Sequence, residues 1–309
     1  MIEKGATVAI IILNWNGLGD TIECLESLRR ITYPSCKIVV VDNGSKGNDA
    51  SILEEKYGKA VHIIRSKTNM GVAGGCNMGI RWALKTDATH ILFLNNDTTV
   101  ERRFLDELVE VANSDQKIAV VGPKIYYSED PHRIATVGGT VNFWTGNAPL
   151  VGRATIDRGE FEDVREVDYV SGCALLIKKE VIGRIGMFDE DYFAYYEETD
   201  LCTRARRSGY KAVVAPKSVI WHKGGRSDKS GEISLYFMTR NRFLFMKKNA
   251  TGIHFPFFVL FVLFTDFILK MESAKLFKKP RLLKSYLNGT YDGMRIALGA
   301  KTEAPRKLQ

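Results

Sequence analysis

Five apolar runs punctuate the first half of the chain: Val8–Leu13, Lys37–Val41, Val61–Ile64, His90–Leu94 and Ile118–Val121. Each is short, rich in branched or aromatic residues and bounded by polar or turn-forming positions, the pattern of a strand buried on both faces. Between them, apolar positions recur with helical spacing over Thr21–Arg30, Ala50–Tyr57, Val72–Lys85 and Arg102–Asn113. Strands alternating with helices predict an α/β fold with a mostly parallel central sheet covered on both faces.

The rhythm changes after about Pro123. Thr136–Trp144 and Asp168–Ile177 read as β-like, and the acidic stretch Tyr195–Asp200 opens a helical pattern that runs to Ser208. Ala212–Ala215 and Ser218–Trp221 read as a short strand pair ending at His222. Tyr236–Lys248 is helical, and Phe255–Leu269 is strongly apolar. The expected division is an α/β unit over 1–230 and a C-terminal helical extension over 231–309.

Charge sharpens that division. Residues 240–309 carry 14 Lys plus Arg against 4 Asp plus Glu, a balance of +10, whereas the whole chain is +8, so the first 239 residues are slightly acidic. A nucleic-acid enzyme would be basic around its site, so nucleic acid is not an expected partner. A basic tail suits an anionic membrane surface. The five cysteines are widely spaced with no CxxC pair, which predicts reduced thiols of a cytoplasmic protein and no zinc site.

Ligands of parallel sheets bind beyond the carboxyl ends of the strands. The polar segments there are Asn14-Trp15-Asn16-Gly17, Asp42-Asn43-Gly44-Ser45 and Asn95-Asn96-Asp97. Asp42 can accept hydrogen bonds from a base or a ribose, or simply shape a turn. Asn95-Asn96-Asp97 offers hard oxygens to Mg²⁺ or Mn²⁺, or caps the next helix. The glycine-rich run Asn69–Gly79 opens a helix whose start can bind diphosphate, or whose glycines pack close to the sheet; it does not match GxGxxG. Glu197, Glu198 and Asp200 crowd three carboxylates at a helix start. Like charges there raise each other's pKa, which suits a general base, although an exposed acidic cap with an Asp200–Arg204 pair is the plainer alternative. His222 is either a ligand or a structural histidine.

In order and spacing these segments resemble the family 2 glycosyltransferases of the GT-A fold, especially the rhamnosyltransferase-like members. The likeness covers roughly residues 7–225 and includes Ser171-Gly172-Cys173-Ala174 and Gly186-Met187-Phe188-Asp189-Glu190. It implies a GT-A (Rossmann-like) nucleotide-sugar-binding domain over 1–230. It implies an inverting, metal-dependent glycosyltransferase that moves a sugar, rhamnose favoured, from a dTDP- or UDP-sugar to a glycan or lipid-linked glycan acceptor of cell-surface polysaccharide synthesis. Asp42 then reads the base, and Asn14, Asn16, Asn69, Gly71, Asn77, Asn96 and Asp97 line the donor site. Asp97 and His222 hold Mn²⁺ or Mg²⁺, and Gly172 and Cys173 border the acceptor. The proposed base is Glu198, with Glu197 and Asp200 as alternatives. Asn95 stands where the family's metal motif has its first acid. Two rival readings are a catalytically inactive nucleotide-sugar- or glycan-binding protein and a nucleotidyltransferase; against the latter, Asn14–Gly19 has no Lys or Arg to hold a triphosphate.

The apolar stretch Phe255–Leu269 is 15 residues long and contains Asp266, too short for the roughly 20 apolar residues of a membrane span. Arg240, Arg242, Lys247 and Lys248 precede it; Lys270, Lys275, Lys278, Lys279 and Arg281 follow. This pattern predicts peripheral contact with the cytoplasmic face of the membrane. A homo-oligomer joined through the C-terminal helices, or packing within the chain, is the alternative cover.

Overall fold

The computed structural model describes residues 6–224, 230–266, 268 and 279–301. Strand β1 (Val8–Asn14) lies inside the sheet, and its apolar residues feed two cores: Val8, Ile10 and Ile12 on one face, Ala9 and Ile11 on the other. Two-sided burial is why the run reads as continuously apolar rather than alternating. Helix α1 (Leu18–Leu28), β2 (Cys36–Asp42), α2 (Asp49–Tyr57), β3 (Val61–Arg65), α3 (Gly71–Ala83) and β4 (His90–Asn95) follow. The short β5 (Thr98–Val100), α4 (Phe104–Ser114), β6 (Ile118–Tyr127), β7 (Ile134–Thr136) and β8 (Arg165–Val167) lead to β9 (Ala174–Lys178), α5 (Lys179–Ile185), α6 (Glu197–Arg207) and β10 (Lys211–His222). The C-terminal helices are α7 (Glu232–Asn249), α8 (His254–Phe261), which continues as a π-helical turn over Val262–Asp266, and α9 (Pro280–Ala297).

The sheet order is β3-β2-β1-β4-β9-β6-β10-β5, with β7 on β6 and β8 on β10. Strands β3, β2, β1 and β4 are parallel, and β6 is parallel to β10. Strand β9 enters antiparallel between β4 and β6. The carboxyl ends of β1, β2, β4, β6 and β10 therefore share one edge, and β9 starts from it. Asn14 is in register with Asp42 there, and Leu13 with Asn95.

Glycines of α3 bring that helix onto β1. A Cβ on Gly75 would lie 2.3 Å from Leu13 Cδ1, and one on Gly79 would lie 2.4 Å from Ile11 Cγ2. The close-packing reading of this run thus holds for its middle.

The expected strand pair after Tyr210 is one strand. Pro216, Lys217 and Ser218 bulge out between the Ala215–Pro123 and Val219–Lys124 partners, so proline takes a place with no ladder bond to donate. Buried Ser218 donates to the Phe104 carbonyl at 2.7 Å and fastens the bulge.

Two of the four charges before the apolar stretch do not face outward as expected, whereas Lys247 and Lys248 are exposed. Arg240 and Arg242 are buried. Arg242 pairs with Asp266 at 3.1 Å, lies over the Phe258 and Phe261 rings and donates to the Thr145 carbonyl. Asp266 also accepts from the Tyr286 hydroxyl at 3.0 Å. Lys247 donates to the Ile296 carbonyl, and Lys248 pairs with Asp189 and Asp191. Lys279 and Arg281 are exposed; Lys270, Lys275 and Lys278 lie outside the described residues. Phe258 and Val262 are buried, but Phe257, Leu260, Leu263 and Phe264 remain exposed. Among the described residues no helix is long and apolar enough to cross a membrane.

Candidate active site

The shared strand edge gathers the polar segments that the sequence singled out. At the end of β1, Asn14 is fully buried and its amide donates to Asp42 (3.2 Å), Ser45 (3.1 Å) and Asp49 (3.0 Å). Its carbonyl accepts from Thr21 at 2.8 Å. Asn14 therefore acts from inside, orienting carboxylates, rather than lining a ligand surface as expected. The Ser45 hydroxyl donates to Asp42 at 2.5 Å and receives the Asn16 amide at 2.9 Å. Asn16 is exposed at φ +53° and accepts from the Lys46 amide, so its turn and the Asp42 turn lock together. Asp49, which sequence reasoning passed over, opens α2 as a second buried carboxylate beside Asp42. Its position in a helix's first turn was the available signal.

The start of α3 is closed by protein groups. The Gly71 amide donates to Asn69 at 2.8 Å and the Ala73 amide to the Phe193 carbonyl at 3.2 Å. A Cβ on Gly71 (φ +70°) would meet Phe193 O at 2.4 Å. Asn77 is buried: its amide donates to Phe188 and Glu190, and its carbonyl accepts from the Phe188 amide. Expected as a donor contact, Asn77 is an anchor between α3 and the 188–190 segment, because its amide and its carbonyl are both engaged there.

Beyond β4, the Asn96 amide donates to Thr21 at 2.9 Å and lies over Gly17. Asp97 is brought against His222 at the end of β10, Oδ1 to Nε2 3.1 Å. Lys223 fixes that strand end by donating its amide to the Asp97 carbonyl and pairing with Asp20 and Glu23. Burial opposes charge on His222, but Cys173 and Asp97 outweigh it and raise the ring to about 11. Cys173 Sγ is 3.4 Å from His222 Nδ1. Next along that loop, Gly172 faces Glu198: a Cβ there would lie 3.7 Å from its Cβ, Cγ and Cδ. One contiguous line thus runs Asp97, His222, Cys173, Gly172, Glu198.

The three acids of α6 separate. Asp200 is buried and saturated, accepting from Arg204 (2.7 Å), Asn249 (2.8 Å) and Tyr192 (3.3 Å). That excludes it as a base and realises the Asp200–Arg204 pairing. Glu197 is buried, and burial first, then the Glu198 charge, pushes it well above the carboxylate range. Burial also raises the partly exposed Glu198. Each has a buried oxygen without a hydrogen-bond partner among the described residues. Of the two, Glu198 borders the 171–173 loop and is the partly exposed one. The approach to α6 is strained: Phe193, Tyr195 and Tyr196 have φ of +63°, +68° and +73°. Such residues cost roughly 1–3 kcal/mol each and persist where their surroundings hold them.

A carboxylate oxygen of Asp97 and, once the ion displaces its proton, an imidazole nitrogen of His222 would suit Mn²⁺ or Mg²⁺. Among the described residues no group of three or more His, Cys, Asp or Glu is arranged to hold a metal. These two residues would supply two donors, leaving the other ligands of such an ion to phosphate and water.

Comparison with known proteins follows this geometry. The sequence model described as Glycosyl transferase family 2 matches residues 9–186. The chain is 29% identical over 242 residues to the low-salt glycan biosynthesis hexosyltransferase Agl10 of Haloferax volcanii, covering 77% of this chain and 74% of that one. It is 27% identical over 283 residues to the dTDP-rhamnosyl transferase RfbF of Shigella flexneri, covering 86% and 88%. Among solved structures it superposes on the mannosyltransferase PcManGT of Pyrobaculum calidifontis, in complex with GDP-Man and Mn²⁺, with a TM-score of 0.59 at 14% identity, covering 96% and 88%. The fold is GT-A.

Proposed function

This chain belongs to glycosyl transferase family 2 and is a glycosyltransferase, and from that premise we propose that it moves a sugar, with inversion, from a nucleotide-diphosphate sugar to a hydroxyl of a glycan or lipid-linked glycan. The observation that carries this reading is the contiguous line from Asp97 to Glu198 along one strand edge. On this reading a donor diphosphate and a divalent ion at Asp97 would lie beside a base of raised pKa at Glu198. Asp42, oriented by Asn14 and Ser45, reads the base or ribose of the donor. Asp97 and His222 would hold the divalent ion, which when bound offsets charge building on the departing diphosphate. Glu198 takes the proton of the acceptor hydroxyl as its oxygen attacks the anomeric carbon. The bond to the diphosphate oxygen breaks with its electron pair on phosphate, and the single displacement inverts the centre. The name of the RfbF relative supports dTDP-rhamnose as donor, with UDP-sugars next.

Calorimetric titration tests the donor half. In the presence of Mn²⁺, dTDP or UDP is expected to bind more tightly than GDP, and Asp42→Ala to erase the preference. Equal affinities in the wild type would overturn the assignment of Asp42.

The exposed face of α8 and its continuation, formed by Phe257, Leu260, Leu263 and Phe264, needs a cover. Exposed Lys279, Arg281 and Lys284 favour an anionic lipid surface, which would bring the site to a lipid-linked acceptor. Co-sedimentation with anionic liposomes at low salt is expected, and Leu260→Glu with Phe264→Glu should abolish it. A variant that stays lipid-bound, or a wild type that ignores liposomes and dimerises through this face, contradicts the membrane reading.

A further inference from the structure

The run that delivers Glu197 and Glu198 to the site follows a backbone path that side chains resist, and α7 holds it there. Asn241 is fully buried, and its amide donates to three carbonyls of that run: Tyr192 (2.9 Å), Ala194 (2.7 Å) and Tyr195 (2.7 Å). Arg240, buried beside it, donates to the carbonyls of Asp191 (2.6 Å) and Tyr192 (2.9 Å). Its Nε also donates to the Asn241 side-chain Oδ1 at 2.8 Å, which fixes the amide so that its N–H groups point at the run. Two adjacent side chains thus bind the carbonyls of Asp191, Tyr192, Ala194 and Tyr195, in a run where Phe193, Tyr195 and Tyr196 all have positive φ. From the other side the start of α3 takes the Phe193 carbonyl through the Ala73 amide, and the Phe193 ring stacks on Phe237 of α7 at 5.2 Å.

Unpaired carbonyls in this interior would be costly, and without the clamp the run would relax toward negative φ. Glu197 follows Tyr196 directly, so any relaxation rotates the first turn of α6 and moves the Glu198 carboxylate. We infer that Arg240 and Asn241 are positioning residues, which hold the strained 191–195 backbone so that Glu198 faces the acceptor loop at Gly172. On this view α7 is part of the catalytic apparatus and not an appendage. The inference rests on Glu198 as the base.

The test compares Asn241→Leu with Phe243→Leu. Phe243 is equally buried on α7 and packs on Phe258 and against Gly293 of α9, but its hydrocarbon ring makes no hydrogen bond to the strained run. Melting temperature, donor affinity by calorimetry and kcat with saturating acceptor are measured for each. Asn241→Leu is expected to lower kcat at least about tenfold, since small misplacements of a reacting group cost up to about a hundredfold. Donor affinity should stay within about twofold of wild type. Phe243→Leu should lose melting temperature and keep kcat. Arg240→Lys retains one donor and the charge, and should show the same split with a smaller fall, which keeps the inference testable if Asn241→Leu does not fold. Wild-type kcat in Asn241→Leu, or in Arg240→Lys where the former is unfolded, overturns it. So does a kcat loss in Phe243→Leu that matches that of Asn241→Leu. Glu198→Gln is assayed alongside. If it keeps wild-type kcat, the base reading falls and this inference with it; if it is inactive while the clamp variants are active, only the clamp is wrong.

Discussion

Replacing Glu198 by Gln is expected to lower kcat by at least about a hundredfold while leaving donor binding nearly intact. General bases contribute roughly 10²–10⁴-fold, and Gln keeps the shape of Glu without its basicity. The pH profile provides a second signature. Burial raises Glu198, and a base works only when deprotonated. The acid limb of kcat should therefore have a midpoint above the ordinary glutamate value of about 4.3, and Gln should remove it. Stability should move the other way. A carboxyl whose folded pKa exceeds its unfolded pKa contributes stability below the unfolded value and loses it as pH rises through the folded one. At neutral pH the Glu197–Glu198 pair is thus a liability, and Glu198→Gln should melt at or above the wild-type temperature. A variant that is less stable and fully active would mean that Glu198 is structural. A larger kcat loss in Glu197→Gln would transfer the role to that neighbour.

Asp97→Ala is expected to lower transfer by at least about 10²–10³-fold, the scale of losing one preorganised electrostatic group at developing charge. No other carboxylate stands in its motif, where Asn95 and Asn96 precede it, and His222 alone is a one-donor site. A binding readout separates this from general damage. In the wild type, Mn²⁺ should add to the melting shift given by dTDP or UDP, because a ligand that binds the folded state stabilises it by mass action. In Asp97→Ala that added shift should vanish while the shift from nucleotide alone persists. Wild-type transfer by Asp97→Ala in the presence of a chelator would contradict a metal role for this edge.

Much of this arrangement is legible in the chain. The runs that became β1, β2 and β4 are buried on both faces, so their apolar signal is unbroken, and the polar residues that end them mark the ligand edge. Strand direction is not written in that signal. Nothing in Ala174–Lys178 says that it enters antiparallel between two strands that run the other way. Proline at position 216 reads as a break between two strands and is in fact the start of a bulge in one. Helix α9 lies inside the expected helical extension, but Gly289 and Gly293 weaken the signal that would set its bounds. Those glycines let it approach α7, where a Cβ on Gly293 would lie 2.5 Å from the Phe243 ring. The acids of α6 look equivalent in sequence. What separates them is tertiary: Asn249 and Tyr192 saturate Asp200, whereas Glu198 faces Gly172 of the 171–173 loop. Arg240 and Arg242 likewise read as membrane-facing charge and are buried, because their partners lie on other elements.

The most direct measurement is the anomeric configuration of the transferred sugar, followed by NMR from nucleotide-sugar donor to glycan product while released nucleoside diphosphate is counted. A base at Glu198 and a departing diphosphate beside Asp97 predict one nucleoside diphosphate per sugar transferred and an inverted anomeric centre. Retention of configuration, or sugar transfer without nucleoside diphosphate release, would contradict the account.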